Sequence, residues 1–208
     1  MTACPRQGAR LGRDGDPRRA ACALGLAVLL ATLAVATPAG AHPHVFVDHT
    51  ITVMVGQDGL EGLQFAWTFD EMFSSMVVLT FDTDKDKRFS AAEAKSVEQK
   101  HFANLKDFNF FVQLRVNDKP VTVTTFKDFQ VKLANGQVVY TFTVPVKAAE
   151  GTLDVAVEDP TYYSAFAINQ RSPVQVQSAK NYRVECRVAR DGGSIAELVK
   201  CAFKRQAK

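Results

Sequence analysis

Between Asp82 and Glu93, oxygen-bearing side chains recur at spacings that suit a hard cation. Asp82, Asp84, Asp86, Ser90 and Glu93 stand at positions 1, 3, 5, 9 and 12 of the EF-hand register, and position 7, Arg88, needs to offer only its carbonyl. Ca²⁺ wants six to eight oxygens, and alternate residues of a tight loop deliver them to one point. Phe89 supplies an apolar anchor at position 8. Position 6 normally holds Gly, because the backbone turns there through positive φ. Here it is Lys87, and a non-Gly residue in that conformation costs ~1–2 kcal/mol. The expectation is a structural Ca²⁺ site weakened by Lys87; the plainer alternative is a solvated Asp-rich loop.

A second group of ligands lies near the amino terminus. His42, His44 and His49 fall close together, ahead of and within a strand pattern beginning at Val45. If a leader is cut after Ala41, His42 becomes the amino terminus. Its α-amine, with a pKa of ~7.7–8.0, and its ring nitrogen could then both reach one metal. Pro43 has no N–H, which excludes a site built on deprotonated amides at residues two and three. Period two puts His44, Phe46 and Asp48 on one strand face and His49 on the other. His42, His44 and Asp48 are therefore the expected transition-metal ligands, and imidazole with amine suits Ni²⁺, Co²⁺, Zn²⁺ or Cu²⁺. A frayed polar terminus with incidental histidines is the competing reading. His101 sits at helical spacing from Val97 and Leu105, as an interface histidine would.

Two further motifs carry polar groups without naming a reaction. In Trp67-Thr-Phe-Asp-Glu71 the paired carboxylates read as a helix cap with a favourable dipole contact. Asp159-Pro-Thr-Tyr-Tyr163 reads as a turn, with one Tyr expected inside and one outside if the chain there is extended. No nucleophile elbow, phosphate loop, zinc-hydrolase helix or dinucleotide fingerprint is present, so no enzyme is expected.

The elements that must position these groups begin with a leader. Arg18-Arg19, an apolar run from Ala20 to about Ala36 and Thr37-Pro-Ala-Gly-Ala41 read as a secretory signal over residues 1–41, which predicts a periplasmic protein. The apolar run falls short of the ~20 residues a spanning helix needs, so no membrane span is expected after cleavage. The chain carries a formal net charge of +3. That excess resides in the leader's Arg6, Arg10, Arg13, Arg18 and Arg19 against Asp14 and Asp16, so residues 42–208 are neutral. A neutral domain argues against nucleic acid as partner. Cys186 and Cys201 remain after cleavage, and export favours a disulfide between them.

Residues 42–208 read as one domain. Strands are expected at Val45–Val55 and Leu63–Phe69 around a Gly56–Gly59 turn, and at Phe129–Leu133 and Val138–Val144 flanking Asn135-Gly136. Helical spacing runs from Asp70 to Phe81 and from about Ser90 to Lys106. Ile195, Leu198, Val199 and Ala202 suggest a last short helix bearing Cys201. The expected fold class is α+β: an antiparallel β-sheet or sandwich domain with an EF-hand-like helical hairpin inserted at about 70–106.

Four stretches of the chain line up in order with a known family. They are Ala41-His-Pro-His-Val-Phe-Val47, Trp67-Thr-Phe-Asp-Glu71, the Asp82–Glu93 loop and Asp159-Pro-Thr-Tyr-Tyr163. The chain resembles bacterial periplasmic proteins catalogued as domain of unknown function one-thousand-and-seven. Members are often labelled the periplasmic component of an uncharacterised ABC-type transport system. Lys87 departs from the Gly usual in that family, which bears on calcium affinity. The resemblance implies a metal-binding accessory of nickel/cobalt or zinc transport, with an inner-membrane metal permease as partner. The alternatives are a copper oxidoreductase using a histidine clamp and a calcium-stabilised interaction domain without a transition metal.

Overall fold

The computed structural model describes residues 43–190 and 196–207, which fall within the compact unit Ala41–Lys208. Alternating apolar and polar residues give the two longest early strands, β1 (Val45–Gly56) and β2 (Gly59–Phe69). They form an antiparallel hairpin whose register runs from Val47 opposite Phe69 to Gly56 opposite Gly59. Gly59 has φ 122° and a Cβ there would strike the Ala148 carbonyl, so only glycine turns the chain at this point.

Two helices follow, α1 (Glu71–Phe81) and α2 (Ala91–Lys100), then a 3-10 segment (Phe102–Phe111). The remaining strands are β3 (Val112–Val116), β4 (Lys119–Val121), β5 (Lys127–Ala134), β6 (Gln137–Ala148), β7 (Gly151–Val157), β8 (Ser164–Ile168), β9 (Val174–Ser178), β10 (Tyr182–Arg190) and β11 (Glu197–Arg205). Asn135 and Gly136 both take positive φ, as a tight β5–β6 hairpin requires.

The strands form two sheets. The first has the order β5-β6-β2-β1-β8, with β9 also on β1; β8 pairs with Val45–His49 and β9 with Ile51–Val55, both parallel to β1. The second has the order β10-β11-β7-β3-β4 and is antiparallel throughout. One apolar cluster joins them, with Ile51, Leu63 and Phe65 from the first sheet and Leu153, Val155 and Phe203 from the second.

This arrangement corrects the α+β expectation: the chain is mostly strand, two sheets in a β-sandwich-like fold, and it shows no EF-hand hairpin. The physical reason is where the helices bury their faces. Phe73, Ser74 and Val77 are the buried residues of α1. Phe73 stacks on Phe69 of β2 at 4.4 Å, and Ser74 Oγ accepts from the Val138 N–H of β6 at 2.8 Å. α1 thus leans on the sheet, while α2 touches α1, β5 and the 3-10 segment. α2 also ends at Lys100, earlier than expected, and Asn109, Phe110 and Phe111 take left-handed φ of 54°, 53° and 57°.

The expected last helix is a second correction. Residues Glu197–Arg205 are strand β11, held between β10 and β7. Val199, Cys201 and Phe203 are buried at period two, and this alternation outweighs the helical spacing of Leu198, Val199 and Ala202.

Candidate metal centre

The Asp-rich turn is fixed from both sides. Upstream, Asp70 caps α1 by accepting the Phe73 N–H at 2.9 Å, and its other oxygen accepts the Phe46 N–H at 2.7 Å. Downstream, Ser90 caps α2 through a reciprocal box: Ser90 Oγ accepts from Glu93 N while Glu93 Oε2 accepts from Ser90 N at 3.0 Å. The Ser90-Ala-Ala-Glu93 spacing spells this box in the sequence, a signal the metal-ligand register obscured. Glu93 Oε1 takes the N–H and hydroxyl of Thr83 at 2.6 and 2.7 Å. These hydrogen bonds, the Thr83 hydroxyl foremost and the Ser90 and Thr83 N–H groups with it, hold the Glu93 carboxyl down at about 2.

Among the described residues, one group of acidic, His or Cys side chains converges: Asp82, Asp84 and Asp86 each bring an oxygen within 4.8 Å of the others. Asp84 Oδ1 takes the Asp86 N–H at 3.2 Å, Asp86 Oδ1 the Arg88 N–H at 2.7 Å, and Asp82 Oδ2 the Lys87 N–H at 3.0 Å. Asp82 is buried, and its Oδ1 has no hydrogen-bond partner among the described residues. The Asp86 N–H favours the Asp84 anion, but desolvation and the charges of Asp86 and Glu93 outweigh it and push the carboxyl up. Lys87 does take the positive φ expected at its position, at 62°, and Lys85 takes 61°. Of the sequence-predicted cation ligands, the fold brings the three aspartates together. Ser90 Oγ and Glu93 Oε2 are engaged in the helix cap, and Glu93 Oε1 in the bonds to Thr83.

His42 lies outside the described residues. His44 is exposed, with its ring 5.1 Å from that of Tyr163. Asp48 is also exposed, on the same face of β1, and accepts Asn169 Nδ2 at 2.9 Å. Four residues of strand separate their Cα atoms by ~13 Å, so the fold does not itself bring His44 and Asp48 to one point. His49 is buried, as alternation requires. His101 Nδ1 lies 3.3 Å from Tyr140 Oη, and burial lowers its pKa. Cys186 and Cys201 face each other across β10 and β11, disulfide-bonded with Cα atoms 4.1 Å apart.

Comparison with known proteins adds a family. A family model described as protein of unknown function (DUF1007) matches residues 27–202. The chain belongs to that family. The DUF1007 match takes in the Asp-rich turn, His44 and both cysteines of the β10–β11 pair. An uncharacterized protein of Haemophilus influenzae is 29% identical over 140 residues, covering 64% of this chain and 66% of that protein. The chain thus spans just under two thirds of that relative's own length. An uncharacterized 15.5 kDa protein of Spirochaeta aurantia is 28% identical over 104 residues, covering 49% of this chain and 74% of that protein.

Proposed function

We propose that this DUF1007 chain is an exported, non-enzymatic metal-binding accessory protein of the periplasm, and that Asp82, Asp84 and Asp86 hold a hard divalent cation, Ca²⁺. The observation that carries this reading is the buried Asp82 Oδ1, without a hydrogen-bond donor among the described residues, beside two more carboxylates. A buried carboxylate oxygen without a hydrogen-bond donor is costly, and oxygens gathered by a tight turn fit the donors Ca²⁺ takes. Backbone carbonyls and water would complete the shell. A cation would also relieve the repulsion that raises Asp84.

Service to a nickel, cobalt or zinc permease, of ABC type or otherwise, belongs to the proposal through the family resemblance. Calorimetry tests the cation first. Wild-type protein titrated with Ca²⁺ should bind one ion at ~10⁻⁴–10⁻³ M or tighter. Asp84→Asn should weaken this at least roughly tenfold, the loss of one charged ligand. An unchanged isotherm for Asp84→Asn, or no Ca²⁺ heat from the wild type, removes the site. For the transport role, deleting the gene should change the nickel, cobalt or zinc content of cells; unaltered content for all three would count against it.

A further inference from the structure

Asp48, which the fold holds away from His44, has a different partner. Asn169 Nδ2 donates to Asp48 Oδ2 at 2.9 Å, and Asn169 Oδ1 accepts the N–H groups of Arg171 and Ser172 at 3.0 and 2.9 Å. The Asn169 backbone is fixed in turn, its N–H donating to the His49 carbonyl at 2.8 Å. Both ends of one amide thus serve to orient a carboxylate and to fold the turn that carries Arg171. Support from behind of this kind holds a binding group in a defined geometry. Among the described residues, Asp48 Oδ1 has no donor, and the Arg171 guanidinium has no ion-pair or hydrogen-bond partner.

These residues border an open groove of about 630 Å³ on the outer face of the first sheet. β8 sets Ala165 beside Phe46 and Ala167 beside Asp48, so small side chains leave space next to both. Phe46 is 57% exposed and outside the core. It stands two residues from Asp48 on the same strand face, ~6.6 Å along the strand. An apolar end and a charged end therefore lie within the length of one amino acid.

The charges select the ligand. Asp48, Asp70 and Arg171 all border the groove. Asp70 is committed to the Phe46 and Phe73 N–H groups, which leaves Asp48 and Arg171 to receive a ligand. A simple amine would be opposed by Arg171, and a simple carboxylate by Asp48. A molecule carrying both signs finds an opposite charge for each, its ammonium on Asp48 and its carboxylate on the guanidinium. An apolar side chain on the same molecule would cover Phe46 and the two alanines, removing that surface from water.

We infer that this groove binds a zwitterionic α-amino acid with a large apolar side chain. The Asp82–Asp86 turn contributes no residue to it, so the site holds whether or not that turn takes a cation. L-phenylalanine titrated into the full-length mature protein should bind at one site by calorimetry. Its dissociation constant should be ~1 mM or tighter, as its few heavy atoms allow. L-phenylalanine amide lacks the carboxylate, and N-acetyl-L-phenylalanine lacks the ammonium. Each should bind at least roughly tenfold more weakly, the loss of one charge-assisted contact. Arg171→Gln should weaken L-phenylalanine by a similar factor without weakening the amide. Asp48→Asn should weaken L-phenylalanine without weakening the N-acetyl analogue. Both side chains are exposed, so circular dichroism should show each variant folded. Absence of saturable L-phenylalanine binding to the wild type overturns the inference. Equal affinity for the amino acid and both analogues, or binding undiminished by both substitutions, overturns it as well.

Discussion

At the scale of single residues, His49 has the sharpest consequence. It is 2% exposed, its Nδ1 has no hydrogen-bond partner among the described residues, and its ring meets Phe166 edge-on at 6.2 Å. Desolvation lowers its pKa from 6.5 to about 4. The folded protein therefore binds fewer protons than the unfolded chain between these values, and stability must fall as pH drops from 6.5 toward 4. The gap corresponds to about 3 kcal/mol, at ~1.4 kcal/mol per tenfold. Denaturant unfolding at pH 7 and pH 4 should show a loss of that order, and His49→Phe should remove most of it. Equal losses in the two proteins would place the pH dependence elsewhere. Glu93 has the opposite character. Its carboxyl is held at about 2 against an ordinary 4.5, so its contribution is present above 4.5 and lost as pH falls through about 2. In EDTA, Glu93→Gln should melt below the wild type at neutral pH, and the two melting curves should converge near pH 2.

At the scale of elements, short-range signals decide where helices start. Ser90 opens α2 through its box with Glu93, and Ser90→Ala should cost about 1 kcal/mol of unfolding free energy, read by urea titration. A cost near zero would mean that Thr83 alone suffices to hold Glu93. The β10–β11 pair depends instead on a covalent tie. The disulfide joins residues separated by 15 positions, and closing a loop of that length is worth ~3 kcal/mol. Reduction, or replacement of Cys186 and Cys201 together by alanine, should lower the melting temperature by ~10 °C for a domain of this size. An unchanged melting temperature would show that pairing with β7 holds β11 without the bond.

At the scale of the whole molecule, the reading depends on export and processing. If residues 1–41 are removed, the new terminus His42 lies two residues from His44, whose ring is exposed beside Tyr163. Ni²⁺ should then bind at least roughly tenfold more tightly to protein beginning at His42 than to protein with one extra residue before it, since the extension destroys the amine–imidazole chelate. Binding should weaken as pH falls, because protons compete for the same nitrogens. Calorimetry of the two forms decides this, and equal affinity excludes the terminal amine as a ligand. Asp84→Asn should leave Ni²⁺ binding nearly intact, since hard and borderline cations choose different donors.

The amino-acid sequence alone determined what neighbouring residues settle among themselves. The β1–β2 hairpin, the Asn135-Gly136 turn, the Asp70 cap and the inside–outside alternation of β1 each depend on a few consecutive side chains, and the structure contains all of them. The Asp82–Asp86 convergence was legible for the same reason: a tight turn brings alternate residues to one place. Tertiary structure decided the rest. Glu197–Arg205 is a strand because β7 and β10 supply its hydrogen bonds, and those partners are distant in the chain. Tyr162 and Tyr163 are both exposed, because a φ of 59° at Tyr162 breaks the alternation an extended chain would have had. The helices pack on β5 and β6, so the Asp-rich loop sits beside a sandwich and not within a helical hairpin. The aromatic cluster around Trp67 could not be read from spacing, since Phe102 and Phe111 of the 3-10 segment, Phe142 of β6 and Phe166 of β8 reach it only through long-range packing.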